Sequence, residues 1–357
     1  MSGRHSRNKK SQASPIHRGL TGARELIGTA YLADPELRRG YDRDIAPRTV
    51  AALTRVLGEV FARDAAQGVT DRLRAVDLGA GTGAVGVALR AHFGERVEVV
   101  AVDRYAGGAG VHALDVTLSI DLKALGGGFD LVIAAHLLNE LFVAAPQGPS
   151  DGARIEKLAA VVRQWADRLL APAGTMILIE PALRETSRAL LQVRDRLLAV
   201  GLHIVAPCFC QTSCPALVRE RDWCHDAAIS VEGRRIDFSY LVVRRQGLGE
   251  RASMDRVRIV SDPLPEKGKL RLFACGAGGR EAVVRLNRHA TRANADLDRL
   301  VRGDVARLAF ETPADPHPGE TRIAPDTRVE RVDPRAPRAQ PEKARPLAGE
   351  PRALPGT

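Results

Sequence analysis

Asp77-Leu78-Gly79-Ala80-Gly81-Thr82-Gly83 separates an apolar run, Arg74–Leu78, from a stretch of helical character, Ala84–Phe93. In that strand-to-helix setting, glycines let the backbone approach a ligand closely and take positive φ where needed. The helix N-terminus beyond the turn favours negative charge. Outward from the turn, strand and helix signals alternate. Val97–Asp103, Phe129–Ala135 and Thr175–Glu180 read as strands, and Ile155–Leu170 and Ser187–Val200 as helices. This alternation predicts an α/β fold, a parallel sheet with helices on both faces. Upstream, Val50, Leu53, Val56, Leu57 and Val60 recur at helical spacing, and Pro47 suits that helix's first turn. Gly201 stands where a helix C-cap glycine would.

The same glycines also fit the G-x-G-x-x-A turn of a dinucleotide site. Three features favour S-adenosylmethionine instead. Asp77 precedes the first glycine by two, Asp103 ends the second strand where a carboxylate can accept both ribose hydroxyls, and the sheet finishes with a hairpin over residues 203–244. Residues 71–245 resemble the class I methyltransferase superfamily, which implies a Rossmann-like sheet. That resemblance makes Asp77, Gly79, Ala80, Gly81, Gly83 and Asp103 the expected cofactor-binding residues. It sets Asp115 near the adenine, a position a simple turn aspartate would also explain. It puts Asn139, in Ala134-Ala-His136-Leu-Leu-Asn139-Glu140-Leu, beside the methyl donor. That stretch is neither the N-P-P-Y of amino methyltransferases nor the Pro-Cys of cytosine-C5 enzymes. His136 is a candidate base or a helix N-terminal histidine. Cofactor binding is thus better supported than catalysis.

Five cysteines, Cys208, Cys210, Cys214, Cys224 and Cys275, fall late in the chain. An odd number argues against a disulfide framework. Thiolates bind soft or borderline metals, and four suit either zinc or a [4Fe–4S] cluster. No zinc-type C-x₂₋₄-C pair occurs, and Cys214 is followed by Pro215. His225 is a further candidate ligand or donor, and inert buried thiols are the plain alternative.

Ile204-Val-Ala-Pro-Cys208-Phe-Cys210-Gln-Thr-Ser-Cys214-Pro215, then Asp222-Trp-Cys224-His225, is similar to the family of mitochondrial small-ribosomal-subunit methyltransferase-like assembly factors and their bacterial relatives. Ile179-Glu180-Pro181, Arg194-Asp-Arg196 and the Tyr31…Tyr41…Pro47 lead-in extend the resemblance over roughly residues 25–290. It implies a [4Fe–4S] cluster on Cys208, Cys214, Cys224 and Cys275, with zinc as the alternative, and association with small-subunit ribosomal RNA. Phe209-Cys210 departs from the Pro-His frequent there.

The 357 residues carry a formal charge of +10 and 45% hydrophobic residues. A basic balance favours polyanionic partners, nucleic acid first. No apolar run spans a bilayer and no apolar leader opens the chain, so a cytoplasmic protein without membrane contact is expected. The expected organisation is a disordered basic arm (1–20), a helical region (21–70) and a methyltransferase-like domain (71–245) with a cysteine-rich metal insertion (208–232). A small C-terminal β unit (246–310) and a disordered Pro/Arg-rich tail (311–357) complete it. Three functions compete: a ribosome-associated S-adenosylmethionine-dependent methyltransferase, a non-catalytic RNA-binding assembly factor on the same fold, and a zinc-containing small-molecule methyltransferase.

Overall fold

A computed structural model describes residues 14–61, 72–105, 110–143, 152–246, 256–310 and 320–332. Residues 1–13 of the expected arm and 333–357 of the expected tail lie outside the described residues. The first sheet contains β1 (Leu73–Leu78), β2 (Val97–Asp103), β3 (Val111–Ala113), β4 (Phe129–Ala135), β5 (Leu170–Pro181), β6 (His203–Ala206), β7 (Asp226–Ile229) and β8 (Arg235–Arg244). Its order is β3-β2-β1-β4-β5-β8-β6, with β7 also on β8. β1 to β5 run parallel. β8 is antiparallel to β5, β6 and β7. The expected Rossmann-like layer with a terminal antiparallel hairpin is therefore present.

Strand periodicity explains why this sheet is covered on both faces. Val76, Leu78, Val132, Ala134, Met176 and Leu178 face one core. The residues between them, Ala75, Leu131, Ile133, Ile177 and Ile179, face another. Among the helices, α1 is Pro35–Asp44, α2 Ala46–Val60, α3 Ala84–Phe93, α4 Ser119–Leu125, α5 Gly152–Leu169 and α6 Arg184–Ala199. α5 and α6 close the first core around the buried Trp165, whose indole N–H donates to Val116 O at 2.8 Å. α2 and α3 close the second through Leu53, Leu57, Val85 and Leu89. Pro47 sits in the first turn of α2. Gly201, at φ +83°, follows α6 as expected, its N–H bonded to Leu198 O.

Two boundaries need correction. Structure is present before residue 21: Pro15–His17 forms a helical turn, and Ile16 and Leu20 pack with Ile27 and Ile45. Structure also continues past 310. β14 (Glu320–Ile323) and β15 (Arg328–Arg331) complete a second sheet with β9 (Arg256–Ile259), β10 (Leu264–Glu266), β11 (Lys269–Gly276), β12 (Gly279–Leu286) and β13 (Val305–Ala309). Each of these last two strands buries one apolar side chain, Ile323 and Val329. Two isolated apolar positions in an Arg- and Pro-rich stretch give no readable period. The second sheet has its own core around Ile259, Leu272, Leu297 and Leu300.

A buried ionic network joins the two sheets to α2. Arg258 of β9 is 6% exposed and donates to Glu59 of α2 through both terminal nitrogens, one of them at 3.1 Å. It also donates to Pro207 O at 2.9 Å and Gly303 O at 3.0 Å. Arg55 of α2 donates to Asp226 of β7 at 3.0 Å and to the same Gly303 carbonyl. Tyr240 OH donates to Glu59 at 3.0 Å. Burial pushes the Glu59 carboxyl up, and Arg258 and Arg55 more than offset it, holding it below the usual range. Gly303 fits because it has no side chain: at φ +85°, a Cβ there would lie 1.8 Å from Asp226 Oδ1.

Replacing one partner of such a network strands the other charge in a dry interior. Arg258→Met is expected to cost on the order of 3 kcal/mol, read from the denaturant midpoint of the full chain. A variant melting like the parent would remove Arg258 from this role.

Candidate functional site

The glycine turn opens a cleft of about 280 Å³ at the C-terminal ends of β1, β2 and β4. Open α/β sheets bind ligands at this edge, where strand order reverses. Here the reversal falls at β1, between β2 and β4. Gly79, Gly81 and Gly83 have φ of +74°, +53° and +90°, conformations that penalise other residues. Gly79 and Gly81 line the cleft, and so do Asp103 and Asp115.

The carboxylates around the turn are arranged unequally. Asp77 is 1% exposed, and among the described residues neither side-chain oxygen has a hydrogen-bond partner. Burial, then the charge of Asp103, pushes its pKa up to about 8. Asp103 is anchored: Oδ2 accepts from Gly81 N and Oδ1 from Tyr105 N, both at 2.9 Å. Asp115 lines the cleft and also closes a turn, its Oδ1 accepting from Thr117 N and Oγ1 at 2.9 and 2.6 Å, while Arg104 pairs with Oδ2 at 2.9 Å. Asn139 is buried and turns its side-chain amide to His136 O at 2.7 Å, behind the cleft wall. Ala80 is buried in the turn, its N–H bonded to Val102 O.

Several cleft residues gave no clear sequence signal. Tyr31 and Tyr41, from the lead-in, line the wall opposite the turn. Tyr31 OH donates to Glu140 at 3.2 Å. Burial pushes the Glu140 carboxyl up to about 7, against the hydrogen bonds from Tyr31 and Gly28 N. His136 lines the cleft with its Nδ1 unpartnered, and burial lowers its pKa to about 4, so the ring is neutral near pH 7. Among the described residues, the non-glycine positive φ values fall at Arg24, His136 and Phe142, at +62°, +60° and +55°. His136 and Phe142 line the cleft, and Arg24 reaches toward Asn139 Oδ1 at 3.5 Å. Backbone strain of this kind concentrates at functional sites. The Tyr31…Tyr41 spacing and the stretch ending at Glu140 were visible; their meeting across the fold was not.

The cysteines form a second constellation. Cys208, Cys210, Cys214, Cys224 and Cys275 all line one small cavity, with Arg194, Arg258 and Arg280 on its wall. Cys275 comes from β11 of the second sheet; the others belong to the connection between β6 and β7. All five are free thiols. Burial pushes Cys214 up to about 11 and Cys224 up to about 12, and neighbouring thiols add to both shifts. Burial also raises Cys208, against Arg194. Cys210 differs: its sulfur lies 3.0 Å from Thr212 Oγ1. His225 lines the adjoining cavity beside Asp226 and Arg258, not the cysteine wall. Among the described residues, no three His, Cys, Asp or Glu side chains are gathered as a group that could hold a metal ion. No described helix is long and apolar enough to cross a membrane.

Comparison with known families matches residues 39–281 to the family described as "Mitochondrial small ribosomal subunit Rsm22". That span holds the glycine turn and every cysteine. No curated protein matches. Among solved structures, the chain is similar to the ribosomal protein L11 methylase of Lactobacillus delbrueckii subsp. bulgaricus, at 15% identity and TM-score 0.30, over 55% of this chain and 79% of that one. It is similar to Aeropyrum pernix fibrillarin with bound S-adenosyl-L-methionine, at 15% and 0.30, over 48% and 66%. It is also similar to the plantazolicin methyltransferase BpumL in complex with SAH, at 9% and 0.38, over 65% and 100%. Likenesses this remote carry no functional argument.

The buried Asp77 gives the pH dependence a sign. A carboxyl whose folded pKa exceeds its unfolded value stabilises the fold fully at acid pH, and that contribution is lost as pH rises through the folded value. The window runs from the ordinary carboxylate range to about 8. Asp77→Asn should therefore flatten the fall in melting temperature between about pH 5 and about pH 8. An unchanged slope would show that Asp77 is ionised at little cost.

Proposed function

The chain belongs to the Rsm22 family, and on that premise we propose that it is an S-adenosylmethionine-binding, methyltransferase-like protein acting on the small ribosomal subunit. The observation that carries this reading is the charge of the cleft at the glycine turn. Asp103, Asp115 and Glu140 line it, Arg104 offsetting Asp115, and the buried Asp77 at the start of the turn has no hydrogen-bond partner among the described residues. Dinucleotides bring a pyrophosphate dianion, which such a lining repels. S-adenosylmethionine brings a sulfonium and an ammonium, which it attracts. A buried, unpaired carboxyl is costly unless a ligand completes it. Asp77 would serve the amino group, with Gly79, Ala80, Gly81 and Gly83 allowing close approach. Asp103 would take the ribose hydroxyls on the lone pairs its two backbone contacts leave free. Asp115 would border the adenine. When bound, the cofactor supplies an electrophilic methyl group; the protein supplies placement and exclusion of water.

The proposal includes an iron–sulfur cluster on Cys208, Cys214, Cys224 and Cys275. What supports it is the donor set: four thiols on one cavity, three from the connection between β6 and β7 and one from β11, with arginines beside them to offset thiolate charge. A four-iron cluster is wider than a single ion, so its sulfurs stand apart in a way that a tight ion-binding group does not. Cys210 is left out because its thiol is already engaged by Thr212. Small-subunit RNA is the proposed partner, its phosphates held by the basic residues of the chain and not by the acidic cleft.

Calorimetry on the full chain tests the cofactor assignment. S-adenosylmethionine should bind, and Asp103→Ala should weaken it by about tenfold or more, since each lost charge-assisted contact is worth about 1.4 kcal/mol or more. No binding to the parent chain would sink the reading. Anaerobic purification with metal analysis tests the cluster separately. Iron is expected in the parent and lost in Cys214→Ser, with a lower melting temperature, because a metal site that forms only in the folded state contributes folding energy. Zinc in place of iron would restore the alternative metal.

A further inference from the structure

We propose that Glu140 is the proton-accepting catalytic residue of the cleft, acting on an N–H or O–H group of small-subunit RNA. This rests on the reading that the cleft binds S-adenosylmethionine. Glu140 lies in the loop that follows β4, on the wall shared with Gly79, Gly81 and Asp103. The loop is held from several directions. His136 N donates to Ile179 O at 2.7 Å. The buried Glu180 of β5 accepts from Leu138 N at 2.9 Å and Asn139 N at 3.2 Å. Arg154 of α5 donates to Leu138 O at 2.8 Å and Leu141 O at 3.0 Å. Positive φ at His136 and Phe142 brackets the segment. A loop strained at both ends and pinned between them preorganises the one carboxylate it presents to the cleft.

The surroundings of Glu140 suit proton transfer near neutrality. Tyr31 OH, at 3.2 Å, steadies the ionised form. Burial and the charge of Asp103 oppose ionisation, and Arg24 weakly favours it. Further titratable or charged groups around it are Glu180 behind the loop, Tyr41 and the neutral His136 in the cleft, Arg104, Tyr105 and Asp115 on the same lining, and Arg154 on the loop carbonyls. The balance sets Glu140 at about 7, where a general base works best. In the step itself, Glu140 takes the proton of the acceptor as the acceptor atom bonds the methyl carbon. The methyl–sulfur bond breaks, its electron pair stays on sulfur, and a neutral thioether and a neutral carboxyl remain. Asp103 and Glu140 would repel a phosphate, so an uncharged base edge or a hydroxyl is the acceptor. A nucleobase reaches such a cleft only when turned out of its helix.

The test uses the full chain, methyl-labelled S-adenosylmethionine, and small ribosomal subunits from cells lacking this protein. The parent should label RNA with a rate that rises with pH through about 7. Glu140→Gln should still bind the cofactor by calorimetry, weakened by no more than about threefold, and transfer at least about 10²-fold more slowly. Tyr31→Phe should move the rising limb to higher pH, a change that a merely structural role would not produce. A binding readout stands apart from turnover. The preference for S-adenosylmethionine over its neutral thioether product should grow between about pH 6 and about pH 8 in the parent, and less so in Glu140→Gln. Full transfer by Glu140→Gln, label in protein instead of RNA, or cofactor binding without transfer by the parent would each overturn the proposal while leaving the cofactor reading intact. Absence of cofactor binding would overturn that reading instead.

Discussion

Glu59 and Asp226 are carboxylates in a nearly dry interior, and two arginines satisfy them there: Arg55 from α2 and Arg258 from β9. Buried ion pairs contribute little net stability over an apolar replacement, but breaking one is costly. The network therefore specifies position more than it adds stability. Arg258 sets where the second sheet sits on the first, because its three sets of contacts run to α2, to Pro207 before the cysteines, and to Gly303. With that placement fixed, β11 carries Cys275 to the cavity that Cys208, Cys214 and Cys224 line.

The cleft at the other end of the first sheet depends on a different device. Glu180 reaches from β5 beneath the loop after β4 and accepts two of its backbone N–H groups. That support holds His136 and Glu140 against the glycine turn, and the lead-in segment closes the opposite wall through Tyr31 and Tyr41. One small region thus combines unpaired acid, strained backbone and partial closure. A ligand carrying positive charge would relieve the first of these.

The parts legible in the sequence are those whose physics is local. A glycine turn declares its φ requirements in seven residues, and β2, β4 and α3 begin and end where the apolar pattern says. Four cysteines between 208 and 224 declare themselves by crowding. Tyr31 and Glu140 meet across a sequence separation of 109, and no local pattern encodes that. Arg258 reads as one more surface arginine in a basic stretch until its neighbours bury it. β14 and β15 hide because two apolar residues suffice when the sheet they join is already built. Asp115 reads in the sequence as a ligand contact or a turn former; in the structure it closes a turn and lines the cleft. Asn139 was expected at the donor and instead braces the loop from behind.

The position of Gly303 has a consequence for the order of synthesis. The first sheet is complete at Arg244, but the second arginine of its buried network, Arg258, comes later, and so does the Gly303 carbonyl that accepts from both arginines. A chain emerging from its N-terminus can thus build the cleft long before it can finish the cysteine cavity. Assembly of that cavity is a late event, waiting on Arg258 and Cys275, and until Arg258 emerges the nascent segment carries Glu59 and Asp226 with Arg55 alone between them.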